Sequence, residues 1–483
     1  MTEREHDMKF EHLLRQTMPE LPPEDVVAEV TPWKKAMNRV LVGLLLTTLT
    51  LNFLNLNYIL PAIGVALCLL GLRTLRKENG AFHLCYYIMI FRALALLAVL
   101  IANTTIYHAV LDHSPLGGVT AAAQFVFLLG FWRALCTVKT KASMAGTAPN
   151  ALALVAWYAA LIVLALFNYS GIIIIGALIV CYILIFRSLW KLSKELDEAG
   201  YAIRPAPVRV ADRPLVIVMA AVVLGGCICG YAFGGHYTME WTPVAENAQS
   251  GTEEIRAHLL ELGFPEDFLN DLTEEDILAC DGATEIYVQN DPACWSGSSA
   301  DSIGELQFTG VAVRLSSNPQ TIRLFQRFQW QGRQRFYGTE ALQLWTASDE
   351  AWAVTSDVTG RLLYDNGDQI YTAPYASLGR KSYEYNSMFW GSRDRVDVFA
   401  SFSLPSSGEN CRGYLTYSVE AYEAVNNYLI SSWLNYNHQR TWMQYPVQTA
   451  EEDILAFSWN EGAFSMSQSA IQFYPAEDGW EAE

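Results

Sequence analysis

One apolar segment, residues 216–236 (VIVMAAVVLGGCICGYAFGGH), divides this chain into two stretches that no single globular core would hold. Before it come long hydrophobic runs joined by basic connectors. After it comes acidic, aromatic-rich sequence with the two-residue alternation of strands. A run of about 20 apolar residues crosses a bilayer as a helix, and the first stretch holds several. The expected architecture is an all-α membrane bundle of about seven spans followed by an α+β domain. That domain is expected to be mostly antiparallel β-sandwich, with a short helical segment before it.

The formal net charge of −18 is segregated: 19 Lys and Arg face 14 Asp and Glu up to Gly235, against 13 and 36 beyond it. A distal half this acidic repels phosphates, which excludes nucleic acid as its partner and makes anionic lipid a poor one. Residues 1–30 are polar and mixed in charge, without the apolar core of a signal peptide, and read as a cytoplasmic N-terminal segment.

The bundle is expected over residues 31–235, with spans at 36–54, 58–75, 86–108, 119–138, 151–168, 171–189 and 214–235. Thr31 as N-cap, Pro32 at the first helical position and Trp33-Lys34-Lys35 mark an interfacial start. Asn55-Leu56-Asn57 breaks the first run into a tight helical hairpin. Arg73, Arg76 and Lys77 follow span two, Arg133, Lys139 and Lys141 close span four, and Arg187, Lys191, Lys194, Arg204, Arg209 and Arg213 lie between spans six and seven; the alternate connectors carry neither Lys nor Arg. The positive-inside rule then puts the N-terminus in the cytoplasm and the C-terminal domain outside.

Arg92 and Arg133 are the interfacial or intramembrane charges. Both fall toward the cytoplasmic ends of their expected spans, where a long side chain reaches the headgroups. Gly226, Gly230 and Gly234 share one face of the last span, the small-residue spacing that lets two helices approach closely. The expectation is packing inside the bundle by a helix that is more than a loose tether.

Beyond the membrane, residues 236–282 read as short helices and 283–483 as a β-rich domain. The acids Glu266, Asp267, Asp271, Glu274, Glu275 and Asp276 gather at first helical turns, where the helix dipole favours them. Ile322, Leu324, Phe328 and Trp330 alternate with the polar Arg323 and Arg327, the pattern of a strand. Asp365-Asn366-Gly367-Asp368 signals a hairpin, and the stretches 440–446 and 454–459 read as strands. Residues 422–437 lean to helix. Cys280, Cys294 and Cys411 are the only cysteines here, and a Cys280–Cys294 disulfide is geometrically plausible. No nucleophile elbow or zinc-protease motif occurs, so neither catalytic nor metal residues nor a cofactor are assigned. Of the many tryptophans, Trp330, Trp345, Trp352, Trp390, Trp433, Trp442 and Trp459 among them, most should be core; a few could stack on a glycan.

Val30-Thr31-Pro32-Trp33-Lys34-Lys35-Ala36-Met37-Asn38-Arg39, with Leu51-Asn52-Phe53 and Asn57-Tyr58-Ile59-Leu60-Pro61, resembles uncharacterised multi-pass membrane proteins of clostridial-type Gram-positive bacteria. The resemblance covers mainly the first 100 residues. It implies a bacterial plasma-membrane setting with an outer domain facing the exterior, and no activity or residue role. Two functions stay open: an outer domain that binds or senses an extracellular glycan or other envelope ligand, and a transporter- or channel-like bundle with an accessory domain. A pocket lined by Arg92, Arg133 or the asparagines would favour the second.

Overall fold

The computed structural model describes residues 31–48, 55–112, 114–167, 171–203, 206–207, 210–244, 251–292, 294–295, 306–317, 320–348, 351–387, 391–422, 428–456, 462–476 and 479–482. It forms two compact units. The first is Met1–Ala102 with Ala109–Cys227, the second Asn103–His108 with Ile228–Glu483.

The helices of the apolar half are α1 (Trp33–Thr48), α2 (Leu56–Leu75), α3 (Gly80–Ala102), α4 (His108–Asp112), α5 (Leu116–Lys141), α6 (Pro149–Leu166), α7 (Ile172–Glu198) and α8 (Asp212–Gly234). Six of them, α2, α3, α5, α6, α7 and α8, are long and apolar enough to cross a membrane. α1 is described over 16 residues; the remainder of the expected first span, 49–54, lies outside the described residues. Asn55, in left-handed conformation at φ 57°, leads into α2, a geometry asparagine tolerates better than most residues.

Two boundaries differ from expectation for identifiable reasons. α3 begins at Gly80 instead of 86, because the Asn79 side chain accepts the Phe82 amide at 2.9 Å and caps the first turn. α7 runs on to Glu198, its polar end carrying Lys191–Glu195 and Lys194–Glu198 pairs one turn apart.

Trp33 is a further correction. It is fully buried, packed on Phe82 and edge-on to Tyr201, beside the pairing of β1 (Thr31–Pro32) with β2 (Ala202–Ile203). It belongs to the core of the bundle's basic end and does not face lipid.

The tightest helix contact is between α1 and α2. A Cβ on Gly43 would stand 2.5 Å from the Gly64 carbonyl oxygen, and one on Gly64 2.6 Å from that of Gly43. Between apolar helices in lipid, such backbone approach supplies packing that larger side chains would block. Gly71 repeats it, its Cβ position 2.7 Å from the Ala36 carbonyl oxygen.

The second unit contains three short helices, α9 (Glu253–Glu261), α10 (Glu266–Asp271) and α11 (Glu274–Leu278). Its strands are β3 (Thr242–Pro243), β4 (Glu285–Pro292), β5 (Cys294–Trp295), β6 (Leu306–Ser317), β7 (Gln320–Trp330), β8 (Glu340–Trp345), β9 (Trp352–Val354), β10 (Thr359–Asn366), β11 (Gln369–Ala373), β12 (Ser377–Ser387), β13 (Gly391–Phe402), β14 (Glu409–Ala421), β15 (Ile430–Gln439), β16 (Phe464–Ala476) and β17 (Gly479–Ala482). α12 (Ala450–Ala456) precedes β16.

The strands form two antiparallel sheets. One runs β3-β11-β10-β14-β7-β6-β4 with β9 on β14; the other runs β12-β13-β8-β15-β16-β17 with β5 on β16. Side chains of both enter one core: Phe328 stacks on Phe402 at 5.6 Å, and Trp330 Nε1 donates to the Tyr436 hydroxyl at 3.0 Å. The expected hairpin is the β10–β11 turn, with Gly367 at φ 62°.

Three expected elements change type. Within 422–437, residues 430–437 are part of strand β15, because Ile430, Ser432, Leu434 and Tyr436 alternate inward and pair with β8 and β16; 423–427 lie outside the described residues. Residues 440–446 are irregular. Residues 450–456 are helical, since Thr449 and Glu452 form a reciprocal capping box: the Glu452 carboxylate accepts the Thr449 amide at 2.8 Å, and Thr449 Oγ1 accepts the Glu452 amide at 3.1 Å.

The outer face of β7 is not solvated. Arg323 and Arg327 are buried beneath α10 and α11, and the acids of those helices reach them. Asp276 meets Arg323 at 2.8 Å. Asp271 binds Arg327 at 2.6 Å and Arg412 of β14 at 2.8 Å; Asp267 binds Arg327 and Asp365 binds Arg412. Phe264 and Phe268 pack edge-on to Phe325 between these ion pairs.

Two predictions follow from this packing. Gly43→Leu should lower the thermal stability and monodispersity of the detergent-solubilised chain, whereas Gly117→Leu, whose Cβ meets open space, should not. Asp271→Asn removes the carboxylate shared by two buried guanidinium groups, each of which keeps one other, and should destabilise the second unit by about 1.5–3 kcal/mol. That loss is measurable as a lowered denaturation midpoint and faster proteolysis between 253 and 281, while exposed Glu266→Gln should change neither.

Candidate functional site

Because α3 begins at Gly80, Arg92 sits near its middle, roughly 18 Å from one end and 15 Å from the other at about 1.5 Å rise per residue. That depth is beyond a short snorkel to either interface. Arg92, Ala95, Leu96 and Val99 share one helical face and line a partly open cavity of about 320 Å³. Thr47 of α1, Pro61 and Val65 of α2, Leu111 of α4, and Leu116, Gly117 and Thr120 of α5 complete its wall.

The polar chemistry of this cavity is one-sided. Thr47 Oγ1 donates to the Leu44 carbonyl and Thr120 Oγ1 to the Gly117 carbonyl, both at 2.9 Å, so each hydroxyl hydrogen is already engaged. The guanidinium of Arg92 is the donor left over: its Nη1 is sealed from solvent and has no hydrogen-bond partner among the described residues. The titratable groups that act on it are Cys68 and Tyr158, a thiol and a phenol that are ordinarily uncharged at neutral pH. A half-buried cation without a counter-charge is costly. The arrangement suits a small acceptor with negative charge, a carboxylate or a phosphate.

The cavity lies toward one end of the bundle. Thr47 is at the far end of α1, Pro61 near the start of α2, Val99 near the end of α3 and Gly117 at the start of α5. Arg73 and Lys77, Lys139 and Lys141 occupy the opposite helix ends.

Arg133 does not join this site. It is exposed on α5, eight residues before Lys141. Nor do the glycines of α8. A Cβ on Gly226 would stand 2.4 Å from Ile101 Cδ1, and one on Gly234 2.5 Å from Thr105 Cγ2; Gly230 is buried. α8 is the least buried of the six long helices, 6% of its apolar window against 50% for α2, and its buried residues are Gly230 and Gly234. Close packing is therefore confined to its end, with Asp212 holding its start through Arg39 at 2.8 Å.

In the second unit, Cys280 is a free thiol, and the side chain of Cys294 lies outside the described residues. Burial pushes the Cys280 thiol up to about 12, which keeps it protonated and unreactive near neutrality. Trp330 and Trp352 are core residues. Trp345 and Trp433 are partly exposed neighbours 6.2 Å apart, with the Arg395 guanidinium 3.9 Å over Trp345. Trp390 and Trp459 lie outside the described residues.

Sequence reading singled out Arg92 but misplaced its depth; the Asn79-x-x-Phe82 cap was the missing signal. Nothing in the sequence marks Thr47 and Thr120 as its neighbours. The chain matches no protein-family model, and no curated protein is detectably similar to it.

Proposed function

We propose that this is a multi-pass plasma-membrane protein whose bundle binds a small anion at Arg92, with the β-rich domain as an accessory on the outer side. The observation that carries the reading is the mid-helix guanidinium, unpaired among the described residues, in a cavity of about 320 Å³. Charged groups at such depth ordinarily mark a substrate or ion path. The basic connectors support an orientation with the N-terminus in the cytoplasm, seven spans counting α1, and the cavity in the outer half of the bundle. In this reading the two sheets of the distal domain form a β-sandwich. The function is then solute binding for uptake or export, and no covalent chemistry is required.

A second reading, recognition of an envelope glycan by the distal domain, rests on Trp345 and Trp433. It ranks lower because Arg395 already covers one face of Trp345.

The test is ligand-induced thermal stabilisation of the purified full chain by acetate, lactate, succinate and inorganic phosphate. At least one should stabilise it. Arg92→Gln should weaken that anion by roughly 10- to 100-fold, as expected for a charge-assisted hydrogen bond of about 1.5–3 kcal/mol, and exposed Arg133→Gln should leave it unchanged. Equal binding by Arg92→Gln, or no stabilisation by any anion, would sink the proposal.

A further inference from the structure

The irregular segment between β15 and α12 presents two adjacent large apolar side chains, Trp442 at 67% exposure and Met443 at 57%. An acidic domain has no internal use for such a pair, and their position in the second unit says what faces them. The carbonyl of Gln444 accepts the hydroxyl of Tyr231, which is three residues from the end of the spanning helix α8. The Val447 amide donates to the Asn103 carbonyl at 2.7 Å, and Asn103 directly follows the end of α3. His108 Nε2 lies 3.6 Å from Glu452 Oε1, beyond the same segment. Within the second unit the segment is thus tied to the last turns of α8 and to the residues that follow α3. Those turns mark the edge of the bilayer, and Trp442 is held within about 7 Å of Gln444 at about 3.5 Å per residue.

We propose that Trp442 and Met443 insert into the interfacial layer of the bilayer, so that the partner of this surface is lipid. Phe233, in the last turn of α8, and Tyr107, after α3, are exposed at the same helix ends and extend the apolar rim. Tryptophan suits this level, since its ring enters the acyl boundary while its N–H reaches headgroups. The net negative charge of the domain removes electrostatic attraction to anionic lipid as the cause. Insertion is therefore driven by apolar contact and draws nothing from anionic headgroups.

The test uses the full chain in phosphatidylcholine proteoliposomes, with the emission of Trp442 isolated as the difference between the wild type and Trp442→Phe. That component should be lost on substituting lipids brominated near the glycerol end of the acyl chain, should resist aqueous acrylamide, and should gain no quenching from added phosphatidylglycerol. Quenching by acrylamide but not by brominated lipid would place Trp442 in water. Shielding from both would place protein over it. Either result overturns the proposal.

Discussion

A charge removed from water must find a partner, and among the described residues Arg92 departs from this rule. In the second unit Arg323, Arg327 and Arg412 are buried on the outer face of a sheet, and each meets carboxylates from α10, α11 or β10. Such pairs contribute little net stability, because desolvation offsets attraction. Their consequence is positional. With the arginines fixed in β7 and β14, only one placement of Asp271 and Asp276 avoids stranding charge, so the helical segment is held to that face. Phe264 and Phe268 add apolar burial that the ion pairs alone would not supply.

How much of this was legible in the sequence depends on whether cause and effect lie close together in the chain. The apolar runs gave six long helices because length and hydropathy are local properties. The β10–β11 hairpin was equally readable, its turn requiring Gly367 at positive φ. The burial of Arg323 and Arg327 was not legible, because alternation in β7 says only that two faces differ. The segment that covers the second face lies about 50 residues earlier, and nothing in β7 announces it. Strand β15 was obscured for a related reason: its pairing partners β8 and β16 lie far away in sequence, and pairing decided its type.

The glycines teach the same lesson within the membrane. Gly226, Gly230 and Gly234 attract notice because their spacing lies on one helix. The closest backbone approach uses Gly43 on one helix and Gly64 on another. Half of that motif lies on each side of the 55–57 break, so no periodicity within a helix reveals it. α8 has the more conspicuous pattern and the looser packing, with its start held by Asp212 and its end by Tyr231 and the glycine face.

The distribution of charge explains why Arg92 stands apart. At the basic end of the bundle the carboxylates are already engaged: Glu78 with Lys141, Asp197 with Lys34, Asp212 with Arg39 and Arg73. The large surplus of acid lies beyond Gly235, where the buried arginines of β7 and β14 consume part of it. Arg92 belongs to neither population and sits mid-helix, where water does not solvate a guanidinium cheaply. Among the described residues, nothing within the bundle neutralises it. A fixed carboxylate on a neighbouring helix would have closed that balance permanently and left the cavity inert. In the proposed reading an anion that enters and leaves would close it only while bound, as a solute site requires.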